Sequence, residues 1–289
     1  VARVAQVAPH LDRSVNDSLH LDRQAHLLPL WSFDDDGARP DDPERYLCGL
    51  AGIEADRLAF HDILTFPTEP PARFGRHGEF LASSRLDNLS SVHAALAALE
   101  AVARGTARDG ETGDPIVLVA NDHEEVGSQT RSGAGGPFLE TVLGRLAGVL
   151  GVDGDVRAAM LARSICVSAD AGHAVHPGYP HLHDPAVRPA LNRGPLIKIN
   201  AQQRYATDAV GTAVWLRACD AAGVPVQSFV SNNAVPCGTT IGPITATRLG
   251  ITTVDVGQAL LSMHSQREMC GVADGPWLAR AMRAFWLGA

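Results

Sequence analysis

Five consecutive residues, His123-Glu124-Glu125-Val126-Gly127, set two adjacent carboxylates shortly after an apolar run, Ile116–Ala120. The run reads as a buried strand of a parallel sheet. Open α/β sheets place their chemistry at the carboxyl ends of such strands. Side chains on extended backbone alternate in direction, so Glu124 and Glu125 are expected to do different jobs. One can ligate a metal while the other faces the attacked bond as a base. A solvated acidic loop contains the same two residue types, so the pair alone decides nothing.

Three further element ends show the same pattern. Asp170 ends the predicted strand Ser164–Ala169, His264 follows the predicted strand Ile251–Val256, and Asp87 opens a predicted helix within Ser84-Arg85-Leu86-Asp87-Asn88-Leu89. Parallel strands deliver their carboxyl ends to one sheet edge, so these residues can converge although they are far apart in the chain. Carboxylates mixed with imidazole suit zinc, cobalt or manganese better than calcium or copper. Two-metal hydrolases hold their ions about 3.5–4 Å apart, a spacing that one bridging aspartate spans. Each residue also has an ordinary structural use: Asp87 as a helix cap, Asp170 as a turn cap, and the histidines of the 173–183 region as packed or solvated loop residues. Four metal-capable residues at four element ends together favour a site.

These residues need a scaffold, and the chain from Leu81 onward supplies one. Predicted strands Ile116–Ala120, Ser164–Ala169, Pro195–Asn200, Val226–Val230 and Ile251–Val256 alternate with predicted helices Leu86–Ala103, Pro137–Leu150, Ala206–Ala222 and Thr239–Leu249. Alternation of this kind implies βαβ units, and hence an α/β fold with a mostly parallel sheet flanked by helices. A last helix follows from the spacing of Trp277, Ala281 and Phe285 and of Leu278, Met282 and Trp286, with Asp274 placed to cap it and Pro276 in its first turn. Its aromatic stripe is expected to pack in the core. Residues 1–80 differ: they hold five of the twelve histidines, an acidic stretch with two prolines (34–43) and weaker periodicity. We expect them to form a smaller subdomain or insertion, joined by a loop near 67–78 to a main domain over 81–289.

Composition narrows the function. The 289 residues carry a net charge of −8, which argues against nucleic acid as the main partner. No apolar run approaches the roughly 20 residues that span a bilayer, so no membrane partner is expected. The five cysteines show no CxxC spacing and suit a reducing, cytoplasmic setting rather than thiolate metal sites. Val1 leads at once into an apolar segment, and we expect an amino-terminal portion to be absent.

The motifs around these residues resemble those of the aspartyl aminopeptidase family of dinuclear zinc exopeptidases. Matching segments run in order along nearly the whole chain: Pro9-His10-Leu11-Asp12-Arg13, Ser84 to Leu89, Asp122-His123-Glu124-Glu125-Val126-Gly127-Ser128, and Ser168-Ala169-Asp170 through His176-Pro177. They continue with Asn192 to Asn200, Gln203-Arg204-Tyr205-Ala206-Thr207, Pro236 to Ile244, and Leu261-Ser262-Met263-His264-Ser265 with Arg267-Glu268. The resemblance implies two Zn2+ per subunit, with Co2+ or Mn2+ as possible substitutes. Asp87 would bridge them, Glu125 and His264 would complete one site, Asp170 would serve the other, and Glu124 would be the general base. The family's remaining zinc histidine, in a His-Thr-Asp-type motif, belongs ahead of the Pro9 segment and has no counterpart here. None of the twelve histidines is promoted to that role.

By the same resemblance the substrates are peptides with an amino-terminal Asp or Glu. Residues 1–80 correspond to most of an inserted, β-containing dimerisation domain, and dimers assemble into a twelve-subunit shell. An acidic side chain in a pocket needs a cation or several donors. Lys198 is the first candidate, because a lysine on an otherwise apolar strand is poorly explained by solvation; a lysine snorkelling from a strand edge is the alternative. Arg204 and Tyr205 are weaker candidates, His173 is expected near the metals, and His10 is expected to reach a neighbouring subunit's site. A related amidohydrolase, or a shell protein without turnover, would use the same fold.

Overall fold

The computed structural model describes residues 3–5, 7–8, 10–14, 17–32, 43–105, 114–152 and 154–289. The acidic stretch 34–42 lies outside them, as do Val1 and Pro9. The described chain divides at Phe66/Pro67 into two units. The boundary falls earlier than the expected 80/81 because 72–74, within the expected connecting loop, pairs with 80–82 into a sheet of the second unit.

The first unit holds a two-residue antiparallel ladder, β1 (Arg3–Val4) with β2 (Pro29–Leu30), and one helix, α1 (Pro43–Ala51). Trp31 meets Tyr46 edge to face at 4.9 Å. Among its described residues only Cys48 is buried, while Phe60 and Leu64 are 85% and 88% exposed.

In the second unit the elements run β3 (Ala72–Phe74), β4 (Phe80–Ser83), α2 (Leu86–Gly105), α3 (Phe138–Val149), α4 (Gly154–Arg163), β5 (Ile165–Ala169) and β6 (Gly172–His173). There follow β7 (Leu196–Ile199), α5 (Ala209–Ala221), β8 (Gln227–Val230), α6 (Gly242–Leu249), β9 (Thr252–Gly257), β10 (Ala259–Leu261), β11 (Glu268–Gly271) and α7 (Asp274–Trp286). The class is α/β as expected, but the sheets are mixed. One has the order β5-β9-β7-β8, with β5–β9 and β7–β8 parallel and β7–β9 antiparallel. The other has the order β3-β4-β11-β10-β6 and is antiparallel except for β6–β10.

The core lies between the four-stranded sheet and its helices. Val254 and Val256 of β9 and Ile197 of β7 pack with Trp215 and Cys219 of α5, with Ala94, Ala95 and Ala98 of α2, and with Leu278, Ala281 and Met282 of α7. The small alanine face of α2 lets α7 approach closely, and Trp277 and Trp286 pack against the same cluster. Burial of this apolar surface is the main stabilising term.

β9 passes through Gly257 and Gln258 directly into β10, so one stretch of chain serves both sheets. Gly257 is required at that corner, because a Cβ there would lie 1.7 Å from the Asp170 carbonyl oxygen. Two expectations are corrected. Ile116–Ala120 forms no ladder and is not buried, Val117 being 40% exposed; it borders a cleft of about 890 Å3 shared with β5, and apolar content alone specifies neither burial nor a pairing partner. Asp274 is the first residue of α7 rather than its cap; its buried carboxylate accepts the amides of Asn192 at 2.7 Å and Gly194 at 3.0 Å. Among the described residues no helix is long and apolar enough to cross a membrane.

Candidate metal centre

Asp87 sits at the start of α2, where the backbone is not yet helical. It does not act as a helix cap: Oδ2 lies 3.0 Å from His264 Nε2, and Oδ1 is buried without a hydrogen-bond partner. Its neighbour Asn88 donates to the Ala169 carbonyl at 2.8 Å and accepts from the Ala171 amide at 3.3 Å. Those bonds flank Asp170 on both sides and tie the helix start to the end of β5. Asp170 itself is anchored by its amide to the Val256 carbonyl at 2.9 Å.

Glu124 and Glu125 open a single 3-10 turn, Glu124–Val126. His123 enters it with φ 59°, and its Nδ1 lies 2.8 Å from Thr130 Oγ1. Gly127 leaves it at φ 100°, a conformation that favours glycine. The turn, rather than strand alternation, separates the two carboxylates: Glu125 Oε2 reaches His264 Nε2 at 3.2 Å, while Glu124 is half-buried beside them. His264 occupies a turn after β10, itself at φ 62°.

Asp87, Glu125 and His264 each offer one ligand atom, all within 4.8 Å of one another. The electrostatics fit a cation. Burial first, then Asp170 and Glu125, push the Asp87 carboxyl up to about 7. Glu124 is raised by burial and by the charges of Asp170 and Glu125. Burial disfavours charge on His264, but Glu125 and Asp87 outweigh it and raise its pKa. Carboxylates crowded around one imidazole, with an orphaned buried oxygen among them, suit a divalent metal with oxygen and nitrogen ligands. Zinc fits this set.

One consequence is measurable. If Asp87 and His264 hold the metal, both must give up protons to do so, and zinc affinity should fall by roughly tenfold or more per pH unit below about 7. Calorimetry in buffers of different ionisation enthalpy reads the released protons directly. Proton release near zero at pH 6 would show that Asp87 is not a ligand.

Asp170 is placed differently from the other three. Its Oδ2 accepts from Lys198 Nζ at 2.6 Å, and Lys198 is 2% exposed. The Lys198 ammonium also lies 5.4 Å from the Tyr205 ring centroid. Tyr205 packs edge-on against Phe229 at 6.1 Å, and the exposed His173 lies 6.2 Å from the same ring. Lys198, Tyr205 and His173 therefore share one wall. Arg204 is exposed, and its carbonyl accepts from Thr239. His10 belongs to the first unit, where it is exposed.

Sequence reasoning missed the residues that hold this arrangement. Asp255 of β9 is fully buried and accepts from Ser168 at 2.7 Å, Thr240 at 2.6 Å and the Ala206 amide at 2.6 Å. It thereby pins the segment bearing Tyr205 to the sheet. Glu268 is 2% exposed, with both oxygens turned to backbone amides. A charged residue inside the apolar run of β9 was the available signal for Asp255; Glu268 stood only as the end of a family-like segment, with nothing to mark its role.

Residues 1–286 match the family described as aminopeptidase I zinc metalloprotease (M18). A probable M18 family aminopeptidase 2 of Streptomyces coelicolor is 49% identical over 284 residues, covering 98% of this chain and 65% of its own length. The chain thus spans about two-thirds of the curated relatives it matches. Among solved structures, that of prApe1 superposes with a TM-score of 0.89 at 30% identity, covering all of this chain and 63% of its own. The dodecamer of Saccharomyces mApe1 gives 0.78 at 30% identity, over 93% of this chain and 61% of its own.

Proposed function

From the premise that this chain belongs to the M18 family of zinc metalloproteases, we propose that its metal centre serves an aminopeptidase removing acidic residues from peptide amino termini. The observation that carries the reading is the junction of Asp87, Glu125 and His264 beside the half-buried Glu124. Asp87, Glu125 and His264 would hold one zinc, and Asp87 and Asp170 would serve a second. Zinc supplies a Lewis acid for the peptide carbonyl and for water. Glu124, not spent as a ligand, takes the proton of the attacking water and returns it to the departing amine. Its raised pKa brings it toward the range in which both transfers are possible.

Lys198 gives the preference for Asp and Glu. An ammonium has three donors, and Asp170 is the one carboxylate that Lys198 meets among the described residues. The remaining donors can serve a substrate carboxylate, with Tyr205 and His173 on the same wall. His10 is assigned to a neighbouring subunit's site. The assembly is a homo-oligomer built through the first unit, which leaves Phe60 and Leu64 on its surface; the dodecameric mApe1 relative supports this. Five unpaired thiols support a reducing, cytoplasmic setting.

The test is hydrolysis of Asp-, Glu-, Leu- and Lys-peptides with zinc added, by the unmodified chain and by Lys198→Met. Removing the ammonium should raise the barrier in kcat/KM for the acidic peptides by roughly 1–3 kcal/mol, about the cost of leaving a buried polar group unpaired. Neutral peptides should change far less. Equal loss on all four would assign Lys198 to holding Asp170 rather than to recognition.

A further inference from the structure

Glu268 is the first residue of β11, paired with Ser83 of β4. Its side chain is buried, and no step of the proposed reaction uses it. Oε2 accepts the Asp87 amide at 2.9 Å, and Oε1 accepts the His264 amide at 2.7 Å. Asp87 and His264 come from different elements, 177 residues apart, and each offers a ligand atom to the same metal position. One carboxylate thus binds the backbone of two of the three candidate ligands.

The turn bearing His264 needs such a restraint, and the entry to α2 gains its position from one. Asp87 carries non-helical dihedrals at a helix start, and the turn 262–264 places Ser262 and His264 in the left-handed region at φ 58° and 62°. Non-glycine residues are disfavoured there and persist only where surrounding contacts over-determine them. The Ser265 amide on the Ser262 carbonyl at 3.0 Å helps to close that turn and fixes its shape, but not its position relative to α2. Charge-assisted bonds from one buried carboxylate to both amides do fix that position.

We propose that Glu268 is a positioning residue for the metal centre: it clamps the Asp87 and His264 backbones at the separation zinc requires. The inference rests on the metal reading above and adds to it a residue that touches neither metal nor substrate. Partners behind the ligands typically change metal affinity by about 10–100-fold when altered.

The experiment titrates zinc alone into the 289-residue chain against a chromophoric chelator. Glu268→Gln keeps the shape but turns an NH2 toward one of the two amides. Its zinc affinity should fall by roughly 10–100-fold, and hydrogen exchange at the Asp87 and His264 amides should accelerate without zinc. Asp274→Asn is the comparator, since Asp274 is another buried carboxylate accepting two amides, those of Asn192 and Gly194. It should lower the thermal midpoint and leave zinc affinity unchanged, which a general loss of stability would not do. Should Glu268→Gln fail to fold, Glu268→Asp retains the charge but cannot span both amides, and it should show the same weakening. Unchanged affinity in a folded Glu268 variant, beside tight binding by the unmodified chain, overturns the clamp alone. Equal binding by the unmodified chain and by His264→Ala overturns the metal reading and the clamp with it.

Discussion

Glu124→Gln is expected to retain its zinc and lose activity by about 10²–10⁴-fold, the usual scale of general-base loss. The amide preserves volume and hydrogen bonding but cannot accept a proton from water. Glu124 makes no contact with His264 of the kind that Glu125 makes, so the ligand set should survive. Metal analysis and turnover on one preparation decide the matter. Near-normal turnover with full zinc would remove Glu124 from the reaction.

Asp87→Ala should have the larger effect on metal. If Asp87 is shared by two sites, as proposed, both ions should be lost, with a drop beyond the roughly 10–100-fold that outer residues give. Stability should move the other way. The Asp87 carboxyl is pushed up to about 7 by burial and by Asp170 and Glu125, and removing it relieves that crowding in the metal-free protein. The expected result is zinc content near zero with an equal or higher thermal midpoint, a separation of function from stability seen at strained sites. Loss of one ion only would mean that Asp87 does not bridge.

Much of the fold was legible because long elements leave periodic patterns. The predicted strands at 164–169, 195–200, 226–230 and 251–256 and the helices starting near Leu86 and Ala206 fall within a few residues of β5, β7, β8, β9, α2 and α5. The five-stranded sheet was not legible. Its strands are two to four residues long, too short for an alternation to register. Asp274 shows a different limit: an aspartate just before a helical pattern looks alike whether it caps the helix or binds a distant loop. Ile116–Ala120 shows a third, since an apolar run reports a tendency to be buried and says nothing of its neighbours.

The candidate site divides along similar lines. Asp87, Glu125, Asp170 and His264 were found by asking which metal-capable residues stand at element ends, and the structure brings three of them to one point. Asp170 it places against Lys198 instead, a pairing that depends on two strand ends and has no local trace. Glu268 and Asn88 act through backbone groups. Such roles depend on where the chain passes, not on the residue's own setting.

The separation between Asp87 and Glu268, 181 residues, also sets an order of events during synthesis. Asp87 and Glu125 leave the ribosome long before His264 and Glu268. A nascent chain that ends short of His264 has the carboxylates without the imidazole, and one that ends short of β11 still lacks the carboxylate beneath them. Closing so long a loop is entropically costly and comes late in folding. Zinc capture at the proposed site would therefore be among the last steps, and an ion held there would report that the chain has been made and folded through β11.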